Sequence, residues 1–126
     1  MSRGESETIA KVQAVLDAAG IAHTHVSWAP LRPPAPPYAL ILDEVETLGA
    51  DSLVMAYCRS VSIELYTDGK GEETRGKLAF ALADAGFPFH RSQPVYLYSE
   101  KLYETTFDLG DFYEKRSSFN DLQAGE

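Results

Sequence analysis

Two histidines two positions apart, His23 and His25, come nearest in this chain to the spacing of metal ligands. On an extended strand, side chains alternate between faces, so the pair points to one side, as zinc or nickel ligands do. A third ligand is required. His90 and Glu44 are candidates but lie far away in sequence, and solvated or edge-strand histidines are the expected alternative. The run Asp43-Glu44-Val45-Glu46 offers carboxylates for acid–base chemistry. Consecutive acids at a strand end more often form a soluble edge that resists pairing with other sheets. Cys58 is the single cysteine. It excludes an intrachain disulfide, cannot build a thiolate metal site alone, and reads as a small buried apolar residue. Gly69-Lys70-Gly71 lacks the remaining positions of a phosphate-cradling loop, and there is no Gly-x-Ser-x-Gly elbow. These residues make no enzyme signature; no catalytic, cofactor-binding or metal-binding residue is assigned, and no cofactor is expected.

The stretch 61–86 organises the elements that would position any such group. Val61, Ile63 and Leu65 alternate with Ser62, Glu64 and Tyr66, the pattern of a half-buried strand. A Gly-rich turn at 67–71 follows. Leu78, Ala81, Leu82 and Ala85 then recur at helical spacing, with Glu72, Glu73, Arg75, Lys77 and Asp84 on the other side. Asp68 and Thr74 are the alternative N-caps, and Gly86 terminates the helix.

Upstream, 5–19 predicts a first helix capped by Ser6, with a stripe of Ile9, Val12, Val15, Leu16 and Ala19. Residues 21–28 predict a short strand. Five prolines in nine positions make 29–37 a loop. Residues 38–45 predict an interior strand that leaves the core at Asp43. Leu53, Met55 and Tyr57 keep one parity with Val61, Ile63 and Leu65. So long a strand is unusual, and a bend near Cys58-Arg59-Ser60 is expected, with 53–57 a separate segment. Residues 95–99 and 102–109 predict an antiparallel hairpin across Ser99-Glu100-Lys101.

The chain has 126 residues, enough for one core and too few for two. Residues 1–113 form the expected domain, and 114–126 a polar, flexible tail. Nineteen acidic residues against eleven basic ones leave a net charge of −8, which opposes binding to nucleic acid through its phosphates. No apolar run approaches the ~20 residues of a membrane span, and the N-terminus lacks a secretory signal, so a cytoplasmic site of synthesis and no membrane partner are expected. The order of elements predicts an α+β domain: an antiparallel or mixed β-sheet of about four to five strands, with two helices packed on one face.

Four segments, Pro37-Tyr38-Ala39, Ala50-Asp51, Ile63-Glu64-Leu65-Tyr66-Thr67-Asp68 and Ser99-Glu100-Lys101-Leu102-Tyr103, resemble in order and spacing the landmarks of small tail proteins of long-tailed bacteriophages and prophages. The resemblance spans 38–109, and its favoured member is the tail terminator, or tail completion protein. It implies a non-enzymatic virion protein assembled in the bacterial cytoplasm. A ring of copies, usually a hexamer, caps the head-proximal end of the tail tube, stops its polymerisation and joins it to the head connector. DNA passes through such a ring without specific binding. A head–tail adaptor or stopper, or another minor tail component, is the alternative within assembly; a metal- or ligand-binding enzyme domain using His23 and His25, or a host-directed regulator, lies outside it. The proline loop and the tail after Tyr113 depart from the shorter members. A ring needs two different contact patches. Leu53, Met55 and Tyr57 on one side, and Tyr103, Phe107, Phe112 and Tyr113 on another, supply candidate contact residues, with ordinary core as the competing role.

Overall fold

The Ser6 hydroxyl accepts a hydrogen bond from the Ile9 backbone N–H at 3.2 Å and starts helix α1 (Glu7–Ala18). A computed structural model describes residues 6–29, 31–50 and 53–115, with the backbone alone at 50 and 53–55. Ile9, Val12, Val15 and Leu16 line the buried face of α1. Gly20, at φ +73°, ends the helix by letting the Ile21 N–H return to the Leu16 carbonyl at 3.0 Å.

Strand β1 (Ala22–His25) pairs in parallel with β2 (Tyr38–Ala50), and the proline loop makes the crossover. β2 pairs antiparallel with β3 (Leu53–Thr67), and β3 with β6 (Leu102–Lys115). The short strands β4 (His90–Arg91) and β5 (Val95–Leu97) both pair with β6. The result is an α+β fold with a mixed sheet of six strands. The strand beyond the expected five is β4, whose two residues are too few for alternation to register.

Helix α2 (Glu72–Asp84) packs with α1 on one face of the sheet. Ala39 and Ile41 of β2, Val61, Ile63 and Leu65 of β3, and Phe107 and Leu109 of β6 meet the helices in one core. No helix among the described residues is long and apolar enough to cross a membrane.

Beyond β2, which runs to Ala50 rather than ending at 45 because β3 pairs with it throughout, four local expectations are corrected. β3 runs unbroken for 15 residues, because β2 and β6 flank it and supply ladder partners along most of its length. The irregularities fall elsewhere: Met55 has no partner in the β2 register, and Leu109 none in the β3 register, where Gly110 at φ +86° completes a bulge. Arg75 lies on the buried side of α2 with Leu78 and Leu82 rather than on its polar side. β6 takes in Glu114 and Lys115, which their polarity had assigned to the tail; the remainder, 116–126, lies outside the described residues.

The fourth correction concerns the start of α2. Neither Asp68 nor Thr74 caps it; Gly71 does, at φ +66° and with no side chain. A Cβ there would stand 2.6 Å from Thr67 Cγ2 and 2.8 Å from Thr67 Oγ1, and Thr67 is buried. Gly71→Ala therefore combines a left-handed backbone with a clash, and should lower stability by about 2–3 kcal/mol in urea unfolding. Gly86→Ala, at φ +86° but with open space around it, should cost only about 1 kcal/mol.

Candidate assembly surface

Past the helices, β2 and β3 continue as an arm, joined by the end of β6. The arm's root is a charged network on the helix side of the sheet. Arg59 stands opposite Val45 on β2 and Phe112 on β6, so Asp43 and Glu114 are its diagonal neighbours. Arg59 Nη1 donates to Asp43 Oδ2, and Nε donates to Glu114 Oε1 at 3.2 Å. His25 Nε2 donates to Asp43 Oδ1 at 2.7 Å. The Ser6 hydroxyl, already capping α1, donates to Glu114 Oε2 at 2.6 Å. One chain of contacts thus fixes the helix start, the end of β6 and the base of the arm.

Burial pushes the Asp43 carboxyl up, but the hydrogen bonds and charges of His25 and Arg59 outweigh it and hold the group below the usual carboxylate range. In Glu114, burial is likewise outweighed, by hydrogen bonds from Ser6, Thr8 and Arg59 and by the Arg59 charge. A carboxyl depressed in the folded state adds stability that is present above its unfolded pKa and lost as pH falls through its folded one. Stability should therefore hold from pH 7 to 5 and fall below about pH 4, and Asp43→Asn should flatten that fall. Urea midpoints measured across pH check both outcomes.

The two histidines do point to one side of β1, but each is met by its own carboxylate, His23 by Asp17 at 2.8 Å and His25 by Asp43. His90 sits at the other edge of the sheet, and Glu44 points to the opposite face from Asp43. Among the described residues, no three His, Cys, Asp or Glu side chains gather as metal ligands. The acidic run is also not a uniform soluble edge. The Asp43 side chain is only 8% exposed, while Glu44 and Glu46 are open to solvent.

The candidate contact residues divide. Phe107 is wholly buried and packs on Phe89 with ring centroids 5.6 Å apart, so it belongs to the core and not to a surface. Phe112 is half-buried against Phe87 at 5.8 Å. Both sit on the helix side of β6, where Phe87 and Phe89 after α2 cover them. Tyr103 is half-buried in a cluster with Tyr96 at 5.0 Å, beside the outward Tyr98. Tyr57 is half-buried on the arm, and Tyr113, near the end of β6, is 71% exposed. The side chains of Leu53 and Met55 lie outside the described residues. Cys58 is half-buried rather than buried, on the uncovered face opposite Tyr113.

Phe80, 74% exposed on the outer side of α2, was not anticipated, although its position off the Leu78–Leu82 stripe is a legible signal. Among the described residues, no helix or strand covers the face of the sheet opposite the helices. The alternation of β2, β3 and β6 places Glu44, Glu46, Glu64, Glu104, Asp108 and Asp111 there.

No protein-family model matches the chain, and no curated protein matches it by sequence. A chain from the virion of a native gene transfer agent particle has a similar structure, with a TM-score of 0.55 at 17% identity, over 84% of this chain and 90% of that one. At that identity the likeness is one of fold.

Proposed function

We propose that this chain is a virion-assembly protein, a tail terminator. Copies of it form a ring, a hexamer by the tail-protein resemblance, at the head-proximal end of a phage-type tail tube. The observation that carries this reading is the fold shared with a gene transfer agent virion chain over most of both lengths. The sequence landmarks at 38–109 agree with it, and the arm supports it. A closing ring needs two unlike patches on each subunit. The arm supplies one patch, with Tyr57 and Tyr113 on it and Leu53 and Met55 assigned to it from the sequence alone. The β5–β6 aromatic cluster with Tyr103 supplies the other. The tail tube protein and the head connector are the partners above and below. The chain acts by contact alone, with no reacting group, and DNA passes through the ring without being held.

Deleting the gene from a producing strain tests this. Electron micrographs should show overlong tubes, or tails not joined to heads, and a plasmid copy should restore normal particles. DNA-filled heads that leak would instead assign the chain to the stopper position, and unchanged particles would remove it from assembly.

A further inference from the structure

The end of the uncovered face nearest the proline loop joins an aromatic stack to two half-buried carboxylates, Glu64 and Glu104. Tyr38 and Tyr66 stand opposite each other on β2 and β3, with ring centroids 5.1 Å apart and planes 23° from parallel. Trp28 meets Tyr38 edge-on at 6.0 Å. The Tyr66 hydroxyl lies 2.8 Å from Glu64 Oε1 and 2.9 Å from Glu104 Oε2. A phenol has one proton to donate, so it satisfies one carboxylate and leaves the other facing an oxygen lone pair. Burial, followed by these two carboxylates, pushes the Tyr66 phenol far up, so it stays neutral. Burial, and after it the charge of Glu100 in the β5–β6 turn, pushes the Tyr38 phenol up.

The other two half-buried carboxylates among the described residues, Asp43 and Glu114, are matched. Arg59 meets Asp43 and Glu114, whereas among the described residues Glu64, Glu100 and Glu104 form no ion pair. Tyr38 is only 7% exposed, and its hydroxyl has no hydrogen-bond partner among the described residues. The Trp28 indole N–H is buried and has no partner among the described residues. Converging carboxylates beside an aromatic stack suit a flat cation that stacks on rings and donates in a fork, which a guanidinium does.

We propose that this corner, formed by Tyr38, Tyr66, Glu64 and Glu104, binds an arginine side chain presented by a basic segment of another protein. The chain's net charge of −8 and its acidic uncovered face favour a basic partner over a second copy of the same acidic chain. The corner has this chemistry whether or not the chain caps a tail tube, so the particle experiment and the following titration can fail separately.

Trp28 is the single tryptophan, so its indole N–H resonance reports on the corner without ambiguity. The full-length protein is titrated with acetyl-Gly-Arg-Arg-Gly-amide and with the matching citrulline peptide, which keeps the shape and loses the charge. The arginine peptide should shift the Trp28 resonance saturably, and the citrulline peptide should not. Glu64→Gln/Glu104→Gln should weaken binding about tenfold. Glu44→Gln/Glu46→Gln, which removes the same charge from the same face, should change it by no more than about twofold. If the first double substitution disturbs the amide spectrum, Glu104→Gln is compared with Glu46→Gln instead. Equal weakening by both variants would mean only a general attraction to the acidic face, and would overturn the site. So would binding of the citrulline peptide or a motionless Trp28. A Trp28 shift that follows protein concentration without peptide would make a second copy the occupant, and would overturn the basic partner.

Discussion

Arg59→Met is expected to destabilise the fold by about 3–5 kcal/mol, because it leaves two carboxylates in a poorly solvated place without their cation. The Arg59 side chain is 12% exposed, and those of Asp43 and Glu114 are 8% and 22% exposed, so solvent screens the network weakly. Methionine keeps most of the aliphatic stem, which separates the loss of charge from the loss of packing. The sign of the pH dependence provides a second test. In the native protein the two carboxyls sit below their ordinary range, and stability is lost in acid. Without Arg59, burial is opposed only by Ser6 and Thr8 at Glu114 and by His25 at Asp43, so both carboxyls move up from where Arg59 held them, and the deficit should shrink as pH falls from 7 toward 4. Urea unfolding of both proteins at several pH values measures this. A deficit below about 1 kcal/mol at neutral pH would mean that the network behaves as an exposed surface pair.

Phe107→Ala should cost about 3–5 kcal/mol in the isolated protein, by loss of buried ring surface and the cavity left behind. Phe107 is fully buried where β6 faces the helices, in contact with Phe89. Tyr113→Ala, on the same strand but 71% exposed, should stay within about 0.5 kcal/mol. Their large apolar side chains grouped both as candidate contact residues, with ordinary core as the competing role, and the pair of variants tests their separation into core and surface. Thermal or urea unfolding of dilute protein is the measurement, and an unperturbed Phe107→Ala would refute the packing of β6 beneath the helices.

Local patterns made some elements legible and hid others. The Ser6 cap, the stripe of α1 and the alternation of Val61, Ile63 and Leu65 all repeat within a few residues, and each appears in the structure at its expected place. The β5–β6 hairpin was also readable, because aromatic and β-branched residues flank a short polar break. The continuity of β3 was not. Arg59 interrupts its apolar parity because the helices end there and its partners are carboxylates 16 and 55 positions away. Matched charges on neighbouring strands leave no periodic trace in one sequence. For the same reason Asp43 read as a soluble strand end although its side chain is largely shielded from solvent. Gly71 escaped notice as a cap because it contributes only a backbone angle, which side-chain capping rules cannot detect. The Glu64–Tyr66–Glu104 corner depends on a 38-residue separation between Tyr66 and Glu104, and only the strand register brings it together.

The central place of β3 has a consequence for synthesis on the ribosome. Its first neighbour, β2, is made just before it, but β6 begins at Leu102, after a helix and two short strands have been added. Until then one side of the nascent hairpin presents a long row of unmatched amides and carbonyls. Closing the sheet is therefore a late, long-range event, the kind of pairing that is slow to form and leaves an open strand edge exposed to aggregation meanwhile.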